Sequence, residues 1–251
     1  MKRDWPVDCL TVSAAEEQRW NGQQLSTRVT QPITRFWRYT EPALVLGCGQ
    51  RASLAQLPDS PIPALVRHAG GGAVLTGPWM LSLSVMLPPD HPAVSSGILS
   101  SYRWLGESLA TALQNSWGVP AQALATHAPK PADTPADKPA NTPVNSLPHW
   151  ACFAGLSPWE VVADGRKLVG LAQVRRRTGV LLTAGVLVSP PDWALLCQAM
   201  GKPLTDAMDL ECATTSVSAY GGHAVTSHDV FPALALAVQE ALHSFLPQET
   251  L

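Results

Sequence analysis

The sequence predicts an α+β domain, built on a mixed and largely antiparallel sheet that is flanked by helices. Short apolar runs alternate with amphipathic segments of helical period, which is typical of this class. In the second half, Asp164-Gly165 separates two apolar runs and is typical of a tight hairpin turn. The chain has 251 residues, of which 46% are hydrophobic, so one domain with a sizeable core can form.

The first half predicts two helices and four strands. The longer helix spans 98–117, where apolar residues recur at helical spacing and Gly118 ends the pattern. The strand over 81–87 alternates at first and then becomes wholly apolar. The remaining predictions are a helix over 14–25 and strands over 34–38, 43–46 and 64–67.

The second half predicts a hairpin, a further strand and two helices. The hairpin pairs 159–163 with 167–175, and the next strand spans 180–188. We expect Pro191 to start a helix over 192–200, since proline is tolerated in the first turn. We expect Asp229 to cap the last helix, which continues through Phe245.

Between these halves, repeated prolines predict a flexible insertion at about 128–148 within a single catalytic domain, 1–251. The N-terminus shows neither a leader peptide nor a spanning segment, and five cysteines stand at scattered spacings, so we expect a cytoplasmic location, reduced thiols and no metal site. The net charge of −2 disfavours a nucleic-acid partner.

Three segments carry groups suited to acyl chemistry. Alternation along the second hairpin strand places Lys167, Val169, Leu171, Gln173 and Arg175 on one face. That face suits a cleft for an apolar chain with a polar head, but the pattern alone is more typical of a solvated edge strand, since charged strand faces are common. Upstream, Gly70-Gly71-Gly72 permits close backbone approach and can expose amide groups.

Cys152 precedes the hairpin, and His149 lies three residues before it. A nearby cation or base can lower the pKa of a thiol, which makes Cys152 a candidate nucleophile. A lone cysteine is more often a small buried hydrophobic residue, and that is our interpretation of Cys9, Cys197 and Cys212.

The same three segments resemble the lipoate–protein ligase A and octanoyltransferase family, whose catalytic domain has a class II synthetase and biotin-ligase-like fold. The lysine motif matches at Gly165, Arg166, Lys167, Leu168, Gly170, Ala172, Gln173, Arg175 and Arg176. The glycine loop matches at Arg67, Gly70, Gly71, Gly72, Ala73 and Val74. The thiol segment matches at Cys152, Phe153, Ser157, Trp159 and Glu160.

The resemblance implies catalytic roles for Cys152 and Lys167, with Lys167 contacting the acyl carbonyl or an acyl-adenylate phosphate. The implied acyl or adenylate-binding residues are Arg67, Gly70, Gly71, Gly72, Ala73, Val74, Gly170, Ala172, Gln173 and Arg175. We expect the bound acyl group to compensate the charge of Lys167, and the Lys167 amine and the glycine triplet to border one apolar cavity.

The implied reaction is transfer of a lipoyl or octanoyl group to a lysine of a lipoyl-carrier protein, through a thioester on Cys152. The alternatives are an ATP- and Mg²⁺-dependent lipoate–protein ligase, a catalytically silent protein that binds an acyl chain or a carrier, and, more remotely, a biotin-type ligase. We expect no tightly bound cofactor and no membrane partner. The chain departs from the family pattern at His68, at Thr76-Gly77-Pro78-Trp79 and at Leu182-Thr183-Ala184-Gly185, where two usual histidines are absent.

Overall fold

The computed structural model describes residues 7–125, 147–221 and 224–245. The predicted insertion at about 128–148 lies outside the described residues, except for Leu147 and Pro148. Within the described ranges, no helix is both long enough and apolar enough to cross a membrane.

The strands form a seven-stranded sheet and a three-stranded sheet in the described residues. In chain order they are β1 (Val7–Val12), β2 (Ile33–Tyr39), β3 (Ala43–Leu46), β4 (Ala64–Val66), β5 (Val74–Thr76), β6 (Met80–Leu87), β7 (Ala121–Ala123), β8 (Val161–Ala163), β9 (Arg166–Arg176) and β10 (Gly179–Leu187). The large sheet has the order β1-β2-β6-β10-β9-β8-β7, and the small one β4-β3-β5. In the large sheet only β1 and β2 pair in parallel. The prediction of a largely antiparallel sheet is confirmed.

The helices of the described residues are α1 (Ala14–Ser26), α2 (Pro92–Ser95), α3 (Ile98–Trp117), α4 (Trp193–Met200), α5 (Thr205–Ala213) and α6 (Ser227–Ser244). A 3₁₀ segment spans Cys48–Gln56. Helix α1 begins with a capping box, in which Ser13 and Glu16 satisfy each other's amide groups. Helix α3 ends at Gly118 in the left-handed conformation (φ 62°), as its glycine predicts.

Two predicted helix starts are wrong by one and by three residues. Asp192 is the N-cap of α4 and accepts a hydrogen bond from Leu195 N at 2.9 Å, so the helix begins after it. Thr226 caps α6, and Asp229 occupies the third helical position and completes a capping box. Strands β1, β5 and β7 and helices α2 and α5 were not predicted, because their apolar runs are short.

Helices cover both faces of the large sheet. Phe36 and Trp37 are neighbours on β2 and therefore point to opposite faces. Phe36 meets Phe231 of α6, and Trp37 meets Trp20 of α1, each with ring centroids 5.3 Å apart. Helix α3 packs against α6. The face under α1, which the small sheet also borders, carries the site described next.

Candidate active site

Cys152 is held directly against the glycine loop. Ala73 N donates to Trp150 O at 2.7 Å, and Cys152 N donates to Ala73 O at 2.9 Å, so the two segments pair locally as parallel strands. A Cβ at Gly72 would lie 2.5 Å from Trp150 O, closer than real side chains approach. Gly71 has φ +93°, and a Cβ there would lie 3.5 Å from Cys152 Sγ. The loop therefore needs glycine at both positions to lie beside the thiol.

Arg67 fixes the same loop by hydrogen bonds to carbonyl groups. Its guanidinium donates to Gly70 O at 2.7 Å, to Gly72 O at 2.9 Å and to Val45 O at 3.2 Å. Among the described residues, no hydrogen bond uses the amide N–H of Gly70, Gly71 or Gly72. Arg67 thus fixes the loop through its carbonyl groups and leaves its amide groups available.

Lys167 is almost fully buried, at 2% exposure, and is paired with a carboxylate. Its ammonium group lies 2.7 Å from Glu160 Oε2 and donates to Cys152 O at 2.8 Å and to Gly155 O at 2.9 Å. The expectation that a bound acyl group would compensate this charge is wrong, because Glu160 already does so. The lysine fixes the turn that carries the thiol.

Glu160 is the functional residue that the sequence reasoning missed. It is 2% exposed, and it also accepts from Ser157 N at 2.7 Å and from Leu171 N at 3.1 Å. A buried lysine requires an anion nearby, and Glu160 was the acidic residue of the thiol segment, so that argument could have found it.

A register shift in the hairpin changes which residues share a face. Val161 pairs with Val169, whereas Val162 pairs with Lys167, so β9 contains one extra residue at this point. A Cβ at Gly170 would lie 3.5 Å from Lys167 Cε. Lys167 therefore shares its side of the sheet with Gly170, and the expected strict alternation from Lys167 to Arg175 does not hold.

The polar residues at the far end of β9 contact the start of α3. Gln173 Nε2 donates to Ile98 O at 3.1 Å, and its Oε1 accepts from Arg175 Nε at 3.1 Å. Arg175 also donates to Val94 O at 2.6 Å and to Ser101 Oγ at 3.0 Å. Gln173 borders the cavity that contains Lys167, but Arg175 does not border it.

Two cavities meet at Cys152. We call the first the apolar cavity; its apolar lining includes Val45, Val74, Met80, Phe153, Leu171 and Leu181. We call the second the polar cavity; its lining includes Gly70, Gly71, Gly72, His149, Lys167 and Gln173. Cys152, Leu171 and Ala172 border both. Lys167 and the glycine triplet thus border one cavity, as expected, but it is the polar one.

The remaining predicted site residues lie around the apolar cavity. Arg67, Val74, Gly170 and Ala172 line it, while Ala73 is buried beneath the loop. Thr183, Ala184 and Gly185, which stand where the family usually has a histidine, also line this cavity. Within the described residues, no cluster of three or more His, Cys, Asp or Glu side chains could hold a metal ion.

The lining of the apolar cavity also includes two buried polar residues, Glu17 and Tyr39. Tyr39 donates from its hydroxyl to Glu17 Oε2 at 2.6 Å. Burial raises the pKa of the Glu17 carboxyl, against the opposing effect of this hydrogen bond. Burial, and then the Glu17 charge, raise the pKa of Tyr39 well above its ordinary value. His68 also borders the cavity, and burial together with the Arg176 charge lowers its pKa.

Comparison with solved structures defines the fold class. The fold resembles a crystal structure of lipoate-protein ligase A bound with ATP, with a TM-score of 0.67, 20% identity and coverage of 96% of this chain and 86% of that one. It resembles a bipartite lipoate protein ligase from Thermoplasma acidophilum with a TM-score of 0.66, 19% identity and coverage of 96% and 84%. Biotin protein ligase from Aquifex aeolicus is more distant, with a TM-score of 0.50, 13% identity and coverage of 96% and 71%.

Residues 13–239 match the model of the lipoyl protein ligase A/B catalytic domain, and the chain belongs to that family. Octanoyltransferase LipM of Exiguobacterium sp. is 31% identical over 68% of this chain and 60% of its own length. Octanoyltransferase LipM of Brevibacillus brevis is 26% identical over 85% of this chain and 72% of its own length. The match thus spans about 60–72% of these two curated relatives.

Proposed function

We propose that this chain transfers an octanoyl or lipoyl group from a thioester donor to a lysine ε-amine on a lipoyl-carrier domain. The position of the Cys152 thiol, where the apolar and polar cavities meet, carries this proposal. An acyl chain in the apolar cavity would have its carbonyl beside the thiol, and the polar cavity would admit the donor and then the acceptor. The octanoyltransferase relatives support the same reaction.

The chemistry takes two steps. The Cys152 thiolate attacks the donor carbonyl carbon, a new C–S bond forms, and the donor thiol leaves after taking up a proton. The acceptor amine then attacks the enzyme thioester, a C–N bond forms, the amine loses a proton, and the Cys152 thiol is regenerated. His149 borders the polar cavity and is our candidate for the residue that accepts and returns these protons.

Each step passes through a tetrahedral oxyanion that needs hydrogen-bond donors. We assign that role to the amide groups of Gly71 and Gly72, which border the polar cavity and make no other hydrogen bond among the described residues. Lys167 acts as a positioning residue, because its ammonium group is occupied by Glu160 and by the carbonyls of Cys152 and Gly155.

An acyl-adenylate route with ATP and Mg²⁺ is the alternative. That route would use Arg175 to hold the phosphate, but its guanidinium is bound to Val94 O of α2 and Ser101 Oγ of α3. The same route has no use for a thiol at the junction of the cavities. These two observations favour transfer through Cys152.

The test mixes the protein with an apo lipoyl-carrier domain and one of two acyl sources. We expect the mass of the carrier to rise by one octanoyl group with an octanoyl thioester, and this gain to disappear in Cys152→Ala. Cys212→Ala, which removes an exposed thiol, should leave this mass gain unchanged. A gain only with lipoate and ATP would replace the proposal by the ligase route, and no gain with either source would contradict both routes.

A further inference from the structure

The polar cavity is also bordered by Tyr102, an aromatic residue of α3 to which the proposed reaction gives no role. Tyr102 is half-buried and lines this cavity together with Cys152 and the glycine triplet. Its side chain comes from a different part of the chain from the loop amides that we assign to the oxyanion. Because a phenolic hydroxyl can donate a hydrogen bond, Tyr102 brings a second kind of donor to the cavity in which the acyl group would react.

Contacts one helical turn to either side hold Tyr102 in place. Ile98 O, four residues earlier on α3, accepts a hydrogen bond from Gln173 Nε2 at 3.1 Å. Gly106, four residues later, lies against the backbone of Trp159, since a Cβ at Gly106 would overlap the Trp159 carbonyl oxygen. Residues four apart share a helix face. This face of α3 is therefore held against β9 on one side of Tyr102 and against the turn before β8 on the other.

The environment of the Tyr102 hydroxyl keeps it protonated, so that it can act as a donor. Burial raises the pKa of Tyr102, and the charges of Glu160 and Cys152 act in the same direction. Hydrogen bonds from the side-chain and backbone amide groups of Gln173 lower the same pKa, because they donate to the hydroxyl oxygen. These amide groups orient the hydroxyl through its oxygen, and the O–H can then donate to a group bound in the cavity.

We propose that Tyr102 is a further catalytic residue, whose hydroxyl donates a hydrogen bond to the oxyanion that forms when the acyl carbonyl beside Cys152 is attacked. This inference rests on the proposed function and adds a side-chain donor to the amide groups of Gly71 and Gly72. An oxyanion accepts a stronger hydrogen bond than a neutral carbonyl, so the donor stabilises the transition state more than the bound substrate. The same hydrogen bond serves both steps, because each forms an oxyanion on the same acyl carbon.

The test compares the wild type with Tyr102→Phe, which keeps the ring and removes the hydroxyl. Intact mass spectrometry follows the acylation of Cys152 over a range of S-octanoyl N-acetylcysteamine concentrations. We expect the saturating rate to fall about a hundredfold, with little change in the concentration that gives half of it. Tyr220→Phe is the matched control and should keep the wild-type rate, because it removes a hydroxyl that donates to Asp164 Oδ2 at 3.0 Å in the hairpin turn.

A second donor, the octanoyl dithioester, separates a catalytic hydroxyl from a structural one. Its developing charge lies on sulfur, which is a weak hydrogen-bond acceptor. The ratio of the wild-type rate to the Tyr102→Phe rate should therefore fall toward unity with this donor. Misfolding or a displaced helix would slow both donors by the same factor, so an equal ratio for the two donors would overturn the inference.

Two further outcomes would overturn the inference and leave the thioester route intact. One is a Tyr102→Phe rate equal to that of the wild type, and the other is a change confined to the half-maximal concentration, which would make Tyr102 a binding residue only. No acylation of the wild type by either donor would instead contradict the proposed function, and this inference with it.

Discussion

The two ends of β9 each carry a cation that the family resemblance assigns to the ligand, yet they differ in their surroundings. Lys167 is buried against Glu160 and the turn of Cys152, next to both the thiol and the glycine loop. Arg175 is exposed and hydrogen-bonds to the start of α3. A motif can therefore match at every position while only one of its two cations borders the candidate site.

The difference has a local cause. The extra residue in β9 opposite Val161 and Val162 turns Lys167 toward Gly170 and Glu160. Beyond this point the strand pairs regularly with β10, and Arg175 hydrogen-bonds to Val94 of α2 and Ser101 of α3 instead. The extra residue thus separates the part of β9 that contacts the turn of Cys152 from the part that hydrogen-bonds to α2 and α3.

The largest expected effect is at the Lys167 end. Glu160→Gln leaves the buried Lys167 charge without its counter-ion, so the free energy of unfolding should fall by about 3–5 kcal/mol. Urea denaturation followed by circular dichroism measures this change. The double variant Glu160→Gln, Lys167→Met should recover part of the loss, because the uncompensated charge is then removed.

Glu107→Gln is the matched control for that change. It breaks the Arg103–Glu107 pair, whose side chains are 61% and 48% exposed, and should cost less than about 1 kcal/mol. Similar losses for Glu160→Gln and Glu107→Gln would mean that Lys167 is solvated and would remove it from the site.

At the Arg175 end we expect a smaller effect on stability and little effect on chemistry. Arg175→Ala removes the hydrogen bonds to Val94 O and Ser101 Oγ and should lower the free energy of unfolding by about 1–3 kcal/mol. The acylation rate of Cys152 at saturating donor should stay close to that of the wild type. Mass spectrometry of the acyl-enzyme gives the rate.

Arg177→Ala, a change of another exposed arginine just beyond β9, serves as the comparison. Arg177→Ala should change neither the free energy of unfolding nor the acylation rate of Cys152. If Arg175→Ala instead abolished an ATP-dependent activation of lipoate while leaving stability unchanged, the resemblance would be right about this residue and our assignment would be wrong.

The smallest effect concerns Glu17, a buried residue that lines the apolar cavity. Burial raises the pKa of Glu17, so the folded state holds its proton more tightly than the unfolded state. This contribution to stability is complete below the unfolded pKa and is lost as the pH rises through the folded value. Glu17→Gln should therefore raise the Tm at neutral pH by a few degrees and flatten its decline with rising pH. Thermal scans across the pH range measure both.

Glu16→Gln provides a control of opposite sign on the same helix. Hydrogen bonds from the Ser13 amide and hydroxyl lower the pKa of Glu16, so its contribution is present above the unfolded pKa and is lost as the pH falls. Glu16→Gln should not stabilise the protein at neutral pH. A rise in Tm with Glu16→Gln but not with Glu17→Gln would contradict the account.

Much of the fold follows from local sequence. The capped helix α1, the Asp164-Gly165 turn with φ of 48° and 74°, and the αL glycine after α3 all depend on near neighbours. The family and the meeting of Cys152, Lys167 and the glycine loop also followed from matched motifs. The first group of features depends only on near neighbours, whereas the second was predicted only through the family resemblance.

What the sequence could not provide depends on tertiary contacts and register. The hydrogen bonds that join Arg175 to α2 and α3, and the convergence of Glu17 with Ser82, involve residues whose proximity no periodicity encodes. Glu17, Tyr39 and Ser82 come from α1, β2 and β6, and each is individually an ordinary polar residue.

The central claim is that Cys152 carries the acyl group, and intact mass spectrometry tests it most directly. Brief incubation of the wild-type protein with an octanoyl thioester, without acceptor, should add one octanoyl group that peptide mapping places on Cys152 and that an apo lipoyl-carrier domain then removes. No such adduct on the wild type, or an equal adduct on Cys152→Ala, would contradict the account.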